Sequence, residues 1–249
     1  MRITPDEVRA RTVSEAWLRA VELVNARPDR SAYHLVVRIE RPGEEIEGIR
    51  RLADQLLLDL SLPLVETVRN TIFPAPTADR FSEPARLAKH YRIHYPAYRR
   101  FKGNKRGTYF GRLVALPDGN GGVVDQLTNV VSKLRERRRM SSRYELNIYL
   151  AREDRNVAMG FPCMSNCAMH LDKGVLHLAA SYRNQYLIER GYGNYLGLGQ
   201  LLQYVSHATG LQAGELLIIA GHADVDHANK GQINSLLAAA GLLRGIASD

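Results

Sequence analysis

The stretch from residue 163 to residue 220 constrains the fold more than any other part of the chain. Residues 175–182 form an apolar run typical of a buried strand. Residues 194–209 repeat apolar side chains on one helical face, and residues 215–220 again have the composition of a strand. A strand, a helix and a second strand in direct succession predict an α/β (α+β) fold.

Other elements follow from the same patterns. We expect further helices over residues 14–25, 45–60, 125–139 and 230–244, and further strands over residues 33–39, 144–150 and 163–171. Thr12 and Glu15 have the spacing of a capping box in front of the first helix. Residues 74–108 are rich in Pro, Tyr, Arg, Lys and His without periodicity, which predicts a long, partly irregular insertion of the kind that often lines a site.

Length and composition fit one domain. The 249 residues, 45% of them hydrophobic, suffice for a single α/β core. No segment reaches the roughly 20 uninterrupted apolar residues of a membrane helix, and residues 1–6 lack the apolar run of a secretion signal, so we expect a cytoplasmic protein without a membrane partner. The two cysteines, Cys163 and Cys167, suit neither a redox motif nor a zinc site, and the histidines show no ligand pattern. We therefore expect free thiols and no metal.

The net charge of +8 raises the question of nucleic acid. Much of this charge lies in residues 135–143, at the end of the helix expected over 125–139. A solvated helix end, whose cations suit the helix dipole, accounts for it. Because no aromatic-interleaved basic surface is evident, we do not expect nucleic acid to be the partner.

Three side chains stand out for chemistry. Cys163 offers a nucleophile, Arg183 a fixed cation, and Asn194 an amide that both donates and accepts hydrogen bonds. Each has a structural alternative: a buried small hydrophobe for Cys163, a carboxylate partner for Arg183, and a helix N-cap for Asn194. Their spacing favours one shared site, whereas Cys167 is expected to be a packing residue.

The same residues resemble the thymidylate synthases and the related pyrimidine hydroxymethylases. That family has a Pro-Cys pair, matched by Pro162-Cys163, then a strand ending in a nucleotide-contacting arginine, matched by Arg183, and an asparagine at the spacing of Asn194. Residues 211–216, 115–119 and 124–127 also resemble family segments. The resemblance covers roughly residues 105–229.

The resemblance implies a thymidylate synthase-like fold, with a mixed sheet flanked by helices and a homodimer packed sheet against sheet. It implies a transferase in which the Cys163 thiolate adds to a pyrimidine nucleoside 5′-monophosphate and a one-carbon unit is transferred to C5. Arg183 would bind the phosphate and Asn194 the edge of the ring. The implied cofactor is 5,10-methylenetetrahydrofolate.

Further site residues are carried over by position. Glu66 stands near the place of a proton-relay glutamate and Tyr109 at that of an active-site tyrosine, although a core role would also explain Tyr109. Arg30 resembles part of a phosphate loop or a charged turn, and Arg143 resembles an arginine that reaches across the dimer. Asn184, Asp224 and Asp226 stand where the family has a serine, a histidine and a tyrosine that surround the nucleotide.

The departures from the family pattern leave three hypotheses open. Two departures argue against a standard synthase: the aspartates Asp224 and Asp226, and the polar segment 189–193 in place of an apolar folate-facing stretch. The first hypothesis is a specialised one-carbon transferase, making a methyl or hydroxymethyl product. The second is a redirected enzyme that uses Cys163 for acyl or amide transfer on a non-nucleotide small molecule in specialised biosynthesis. The third is a nucleotide-binding protein without catalysis.

Overall fold

The computed structural model describes residues 6–136, 144–155 and 163–246, with side chains up to residue 241. Arg143 and Pro162, named above as parts of the candidate site, lie outside these residues.

A six-stranded mixed sheet forms the centre of the molecule, in the order β1-β2-β8-β7-β6-β5. Its strands are β1 (Glu7–Thr12), β2 (Ser31–Arg41), β5 (Glu145–Asn147), β6 (Met164–Asp172), β7 (Val175–Tyr186) and β8 (Gln212–Asp224). The pairs β1/β2 and β7/β8 are parallel, and the other three are antiparallel. A separate two-stranded hairpin consists of β3 (Leu116–Pro117) and β4 (Val123–Val124).

The helices connect and flank these strands. They are α1 (Val13–Asn25), α2 (Glu47–Asp59), α3 (Val65–Ile72), α4 (Ala75–Ala78), α5 (Pro84–Tyr98), α6 (Tyr109–Val114), α7 (Gln126–Arg135), α8 (Ala151–Asp154), α9 (Tyr192–Thr209) and α10 (Lys230–Ile246). A mixed α/β architecture with helices flanking the sheet is thus confirmed.

The two faces of the sheet differ in burial. Val37, Ile218, Ala180 and Cys167 are cross-strand neighbours in one row, and all four are buried in the core. In the next row, Ile219 lies between Val36 and Ser181 and is 41% exposed. Because directly paired residues point to the same face, one face is buried by helices and the other is partly open to solvent.

The expected helices and strands between residues 14 and 39 and between 163 and 246 are present, with longer strands than predicted at β7 and β8. The capping box is confirmed: the Thr12 side chain accepts from the Glu15 amide, and the Glu15 side chain accepts from the Thr12 amide. The strand expected over 144–150 is limited to β5.

Residues 74–108 are more regular than predicted. The helix α5 occupies fifteen of them, begins with Pro84 in its first turn, and buries Leu87, Ala88 and Tyr91. The prediction of an irregular insertion was wrong there because the buried stripe, formed by Pro84, Leu87, Ala88 and Tyr91, contains a single large aliphatic side chain. The elements β1, α3 and α6 were not predicted either, because their six to eight residues are too few to show a clear period.

Among the described residues, no helix combines the length and apolar character needed to span a bilayer.

Candidate active site

A tight hairpin brings Cys163 beside Arg183. The turn between β6 and β7 consists of Lys173 and Gly174, which both have positive φ, as in the type I′ turns that match the twist of a hairpin. At the far end of the hairpin, the Arg183 amide donates to the Cys163 carbonyl at 2.9 Å. The spacing of twenty residues is therefore the length of the two paired strands plus their turn.

A turn and a helix then return Asn194 to the same place. After β7, residues Leu187–Gly191 form a single π-helical turn that leads directly into α9. Asn194 is the third residue of α9 and is only 3% exposed. The helix begins two residues earlier, at Tyr192, and has no side-chain cap. The N-cap alternative for Asn194 is therefore wrong.

These three residues line one cavity of about 950 Å³. Tyr109 and Asn184 also line it, as do the following residues: Val68, Thr71, Gly103, Asn104, Gly107, Thr108, Tyr149, Asp154, Arg155, Ser165, Gln185, Tyr186, Glu189 and Arg190. A volume of this size is at the upper end of the range for small-molecule sites. The end of the segment 74–108 does contribute to this wall, as the sequence analysis expected.

The Cys163 thiol is partly exposed and unbridged. Burial raises its pKa, the guanidinium groups of Arg183 and Arg190 lower it, and the carboxylates of Asp224 and Glu189 raise it, so that the pKa lies above the ordinary value. The thiol therefore rests in its protonated form at neutral pH. A bound ligand, or a base that removes the proton, would have to generate the nucleophile.

Arg183 is exposed, so its guanidinium does not need an anion to offset a cost of burial. Its guanidinium carbon lies 5.9 Å from the centre of the Tyr149 ring, within the range of a cation–π contact. The cation is thus held at the cavity wall over an aromatic face.

Tyr109 lies close to the thiol. Burial and the neighbouring Cys163 raise the pKa of Tyr109 to about 12, against the lowering effect of the Met164 and Cys163 backbone amides and of Arg190. The phenol is therefore neutral at physiological pH and can donate a hydrogen bond in the cavity.

Two amide side chains of the wall have unfilled hydrogen-bonding capacity. Asn194 Oδ1 and Gln185 Nε2 are both buried and have no hydrogen-bond partner among residues 6–136, 144–155 and 163–241. Gln185 is 1% exposed, and its Oε1 accepts from the Tyr195 hydroxyl at 3.1 Å. Sequence reasoning missed Gln185, because two residues after Arg183 it belongs to no pattern, and only its burial in the wall reveals it.

Four carried-over residues do not line the cavity. Glu66 lies in α3 and pairs with Arg50 at 3.4 Å and with Arg69, while Val68 and Thr71 of the same helix reach the wall. The proton-relay role of Glu66 therefore gains no support from its position.

Arg30 lies in a turn and also stands outside the cavity wall. It has a left-handed backbone, and its side chain donates to Asn25 Oδ1 at 3.0 Å and to the Ala228 carbonyl at 2.7 Å. This geometry favours the charged-turn alternative for Arg30.

The two aspartates after Gly221 lie close to the site but outside its wall. Asp226 accepts from the Ile188 and Glu189 amides at 2.8 and 3.1 Å, so it holds the turn at Leu187–Gly191 in place. Asp224 hydrogen-bonds Asn184, and burial raises its pKa. Asp224 therefore fixes the Asn184 side chain in the cavity wall. Asp226 instead fixes the backbone of the wall at Ile188 and Glu189.

Charged pairs complete the wall. Arg190 and Glu189 pair at 2.7 Å where the family would have an apolar stretch. Glu189, Asp226 and His227 place potential ligand atoms within 4.8 Å of one another. Asp226 already accepts hydrogen bonds from two backbone amides, and Glu189 pairs with Arg190. We therefore assign no metal to the cluster of Glu189, Asp226 and His227.

Neither a scan against protein-family models nor a search of curated protein sequences finds a match to this chain.

Proposed function

We propose that this chain is a thymidylate synthase-like transferase that adds a one-carbon unit, methyl or hydroxymethyl, to C5 of a pyrimidine nucleoside 5′-monophosphate through a Cys163 adduct. The observation that carries the proposal is the convergence of Cys163, Arg183 and Asn194 on one cavity. A nucleophile, a cation for the phosphate and an amide for the ring edge are the parts that this reaction requires.

Formation of the covalent adduct needs only the chain and the pyrimidine ring. The Cys163 thiolate forms a bond to C6, the C5–C6 π bond breaks, and its electron pair is delocalised over C5 and O4. The carbon C5 then either takes a proton, which gives hydrogen exchange, or attacks an activated formaldehyde donor, whose leaving group departs with the electron pair of the broken bond. A base removes the hydrogen originally on C5, and water completes a hydroxymethyl group or a hydride from the donor completes a methyl group. Expulsion of the Cys163 thiolate then restores the C5–C6 double bond. Tyr109, neutral and close to the thiol, is positioned to hold a proton during these steps.

The residues present fit a folate poorly. The stretch that the resemblance assigns to folate contact places the Glu189–Arg190 ion pair in the cavity wall rather than an apolar surface. The folate cofactor therefore remains a separate proposal, and no step above passes through it. Binding of tetrahydrofolate in the presence and absence of nucleotide would test it.

One observation favours the redirected enzyme as a second candidate. The same ion pair makes this part of the cavity wall polar rather than apolar, which suits acyl or amide transfer on a small non-nucleotide molecule. Such a reaction would also depend on Cys163, but it would not exchange hydrogen at C5 of a pyrimidine.

Release of tritium from 5-tritiated UMP, dUMP, CMP and dCMP separates the two candidates, because exchange at C5 requires only the adduct and a proton donor. We expect release from one of the four without any cofactor and no release with Cys163→Ala. The matched control is Cys167→Ala, which removes the buried core thiol and should still release tritium. If none of the four nucleotides releases tritium or binds, the transferase proposal is abandoned.

A homodimer packed sheet against sheet, and a cytoplasmic location, remain proposals. The partly open face of the sheet, with Ile219 at its centre, supports the dimer.

A further inference from the structure

The wall of the cavity carries a fixed pattern of hydrogen-bonding groups. The Tyr195 hydroxyl donates to Gln185 Oε1, so the amide of Gln185 is oriented with its Nε2 donor away from this bond. Tyr195 is fully buried, which restricts the hydroxyl to this partner among the described residues. The side chain of Gln185 is therefore held as a hydrogen-bond donor that finds no acceptor in the part of the chain that the structure describes.

Asn194 supplies the complementary group. Its Oδ1 is a buried acceptor to which none of the described residues donates, and Asn194 directly precedes Tyr195 in α9. Leaving a buried donor or acceptor unpaired is costly, so two such groups in one cavity wall indicate a ligand that pairs with both. The Asn194 amide nitrogen adds a second donor next to the acceptor.

We propose that Gln185, fixed by Tyr195, is a second ring-reading residue and that the site selects a cyclic imide. An imide edge presents carbonyl, N–H and carbonyl in sequence. Gln185 Nε2 donates to the carbonyl that cytosine replaces by an amino group, Asn194 Oδ1 accepts from the N–H, and Asn194 Nδ2 donates to the carbonyl that uracil and cytosine share. Uracil has this edge, whereas cytosine replaces the N–H by an acceptor and one carbonyl by an amino donor and so mismatches at two of the three positions.

The inference depends on the proposed function only for the claim that the ligand is a nucleotide. The claim that the site binds an imide does not depend on it. Binding of UMP and CMP is measured by calorimetry for the wild-type protein, Gln185→Glu, Gln185→Met and Tyr195→Phe. Gln185→Glu keeps the oxygen that accepts from the Tyr195 hydroxyl but replaces the Nε2 donor by a second oxygen. Gln185→Met removes both the acceptor and the donor in a side chain of similar size. A thermal melt of each variant verifies folding.

We expect the wild-type protein to prefer UMP over CMP by at least about tenfold. Gln185→Glu should weaken UMP binding by about tenfold and leave CMP binding unchanged or stronger. Tyr195→Phe should reduce the preference for UMP over CMP, because the Gln185 amide is then free to rotate. This result would show that Tyr195 acts by positioning Gln185 rather than by touching the ligand. An unchanged ratio of UMP to CMP affinity in folded Gln185 variants overturns the inference, even where tritium release shows the proposed function to be correct.

A second readout covers the case in which no nucleotide binds and the proposed function fails. The free bases uracil and cytosine are tested for protection of Cys163 against iodoacetamide, followed by mass spectrometry. Protection by uracil alone, lost in Gln185→Glu, supports an imide site in an otherwise different enzyme. Equal protection by both bases, or by neither, overturns the inference.

Discussion

The amide of Arg183 donates to the carbonyl of Cys163 at 2.9 Å, across the last rung of the β6–β7 hairpin. This bond fixes the backbone positions from which a thiol and a guanidinium enter the same cavity. The electrostatic coupling between the two groups follows directly from hairpin register, because the Arg183 cation lowers the pKa of Cys163 against the larger effect of burial.

The reactivity of Cys163 should therefore depend on the neighbouring charges in opposite directions. Arg183→Gln removes a cation that lowers the pKa of Cys163, so the midpoint of alkylation against pH should move up. Asp224→Asn removes a carboxylate that raises this pKa, so the midpoint should move down. Iodoacetamide kinetics followed by mass spectrometry measure both midpoints.

Cys167 is the internal control for that experiment. It is fully buried, and burial raises its pKa to about 12, so it should stay unmodified in the folded protein. Shifts of the same sign in the two variants would contradict the charge arrangement around Cys163.

The buried ion pair between Arg112 and Asp154 should be important for stability. The two side chains are 4% and 3% exposed, and Arg112 donates to both carboxylate oxygens, at 2.6 and 3.0 Å. Arg112→Met leaves the carboxylate buried without its partner and should cost about 3–5 kcal/mol in urea unfolding. The exposed pair of Arg51 and Glu47 is the matched comparison, and Arg51→Met should change stability little. Equal losses in the two variants would refute this ranking.

The same pair predicts a pH dependence. Burial alone would raise the pKa of Asp154, but hydrogen bonds from Arg112 and from the Leu150 amide outweigh it and hold the pKa below its usual value. A lowered folded-state pKa contributes stability that is present above the unfolded value of about 3.9 and is lost as pH falls through the folded value. Unfolding free energies between neutral and acid pH should therefore fall more steeply for the wild-type protein than for Asp154→Asn; parallel curves would exclude this contribution.

The capping box at the start of α1 should contribute measurably to the free energy of unfolding. Thr12→Ala removes the acceptor for the Glu15 amide and should lower the unfolding free energy by about 1 kcal/mol. Thr12→Ser keeps the oxygen and should retain most of that stability. A loss as large in the serine variant would point to the Thr12 methyl group instead.

The open face of the sheet predicts the oligomeric state. If two copies pack through this face, Ile219→Asp places a charge at the centre of the interface and should convert a dimer to a monomer in light scattering. The exposed Ile93 of α5 lies on another element, and Ile93→Asp should leave the dimer intact. A wild-type monomer, or dissociation by both substitutions, would rule out this arrangement.

The sequence by itself determined the elements whose residues repeat with a clear period. The stretch from β6 to β8 was predictable because its strands are apolar runs and α9 repeats leucine on one face. The capping box was predictable because its two residues bond within four positions of each other. The spacing from Cys163 to Arg183 followed from strand length and a two-residue turn, both of which are local properties.

The tertiary structure alone decided which polar groups remain unpaired. Glu66, Arg30 and Asp226 have residue types suited to a site, yet their side chains are held by Arg69, the Ala228 carbonyl and the Ile188 amide respectively. Gln185 belongs to no motif, and it becomes a candidate only because folding places it in the same cavity wall as Asn194 and buries its donor where none of the described residues accepts from it. Hydrogen-bond satisfaction depends on contacts between residues far apart in the chain, and local sequence patterns do not encode it.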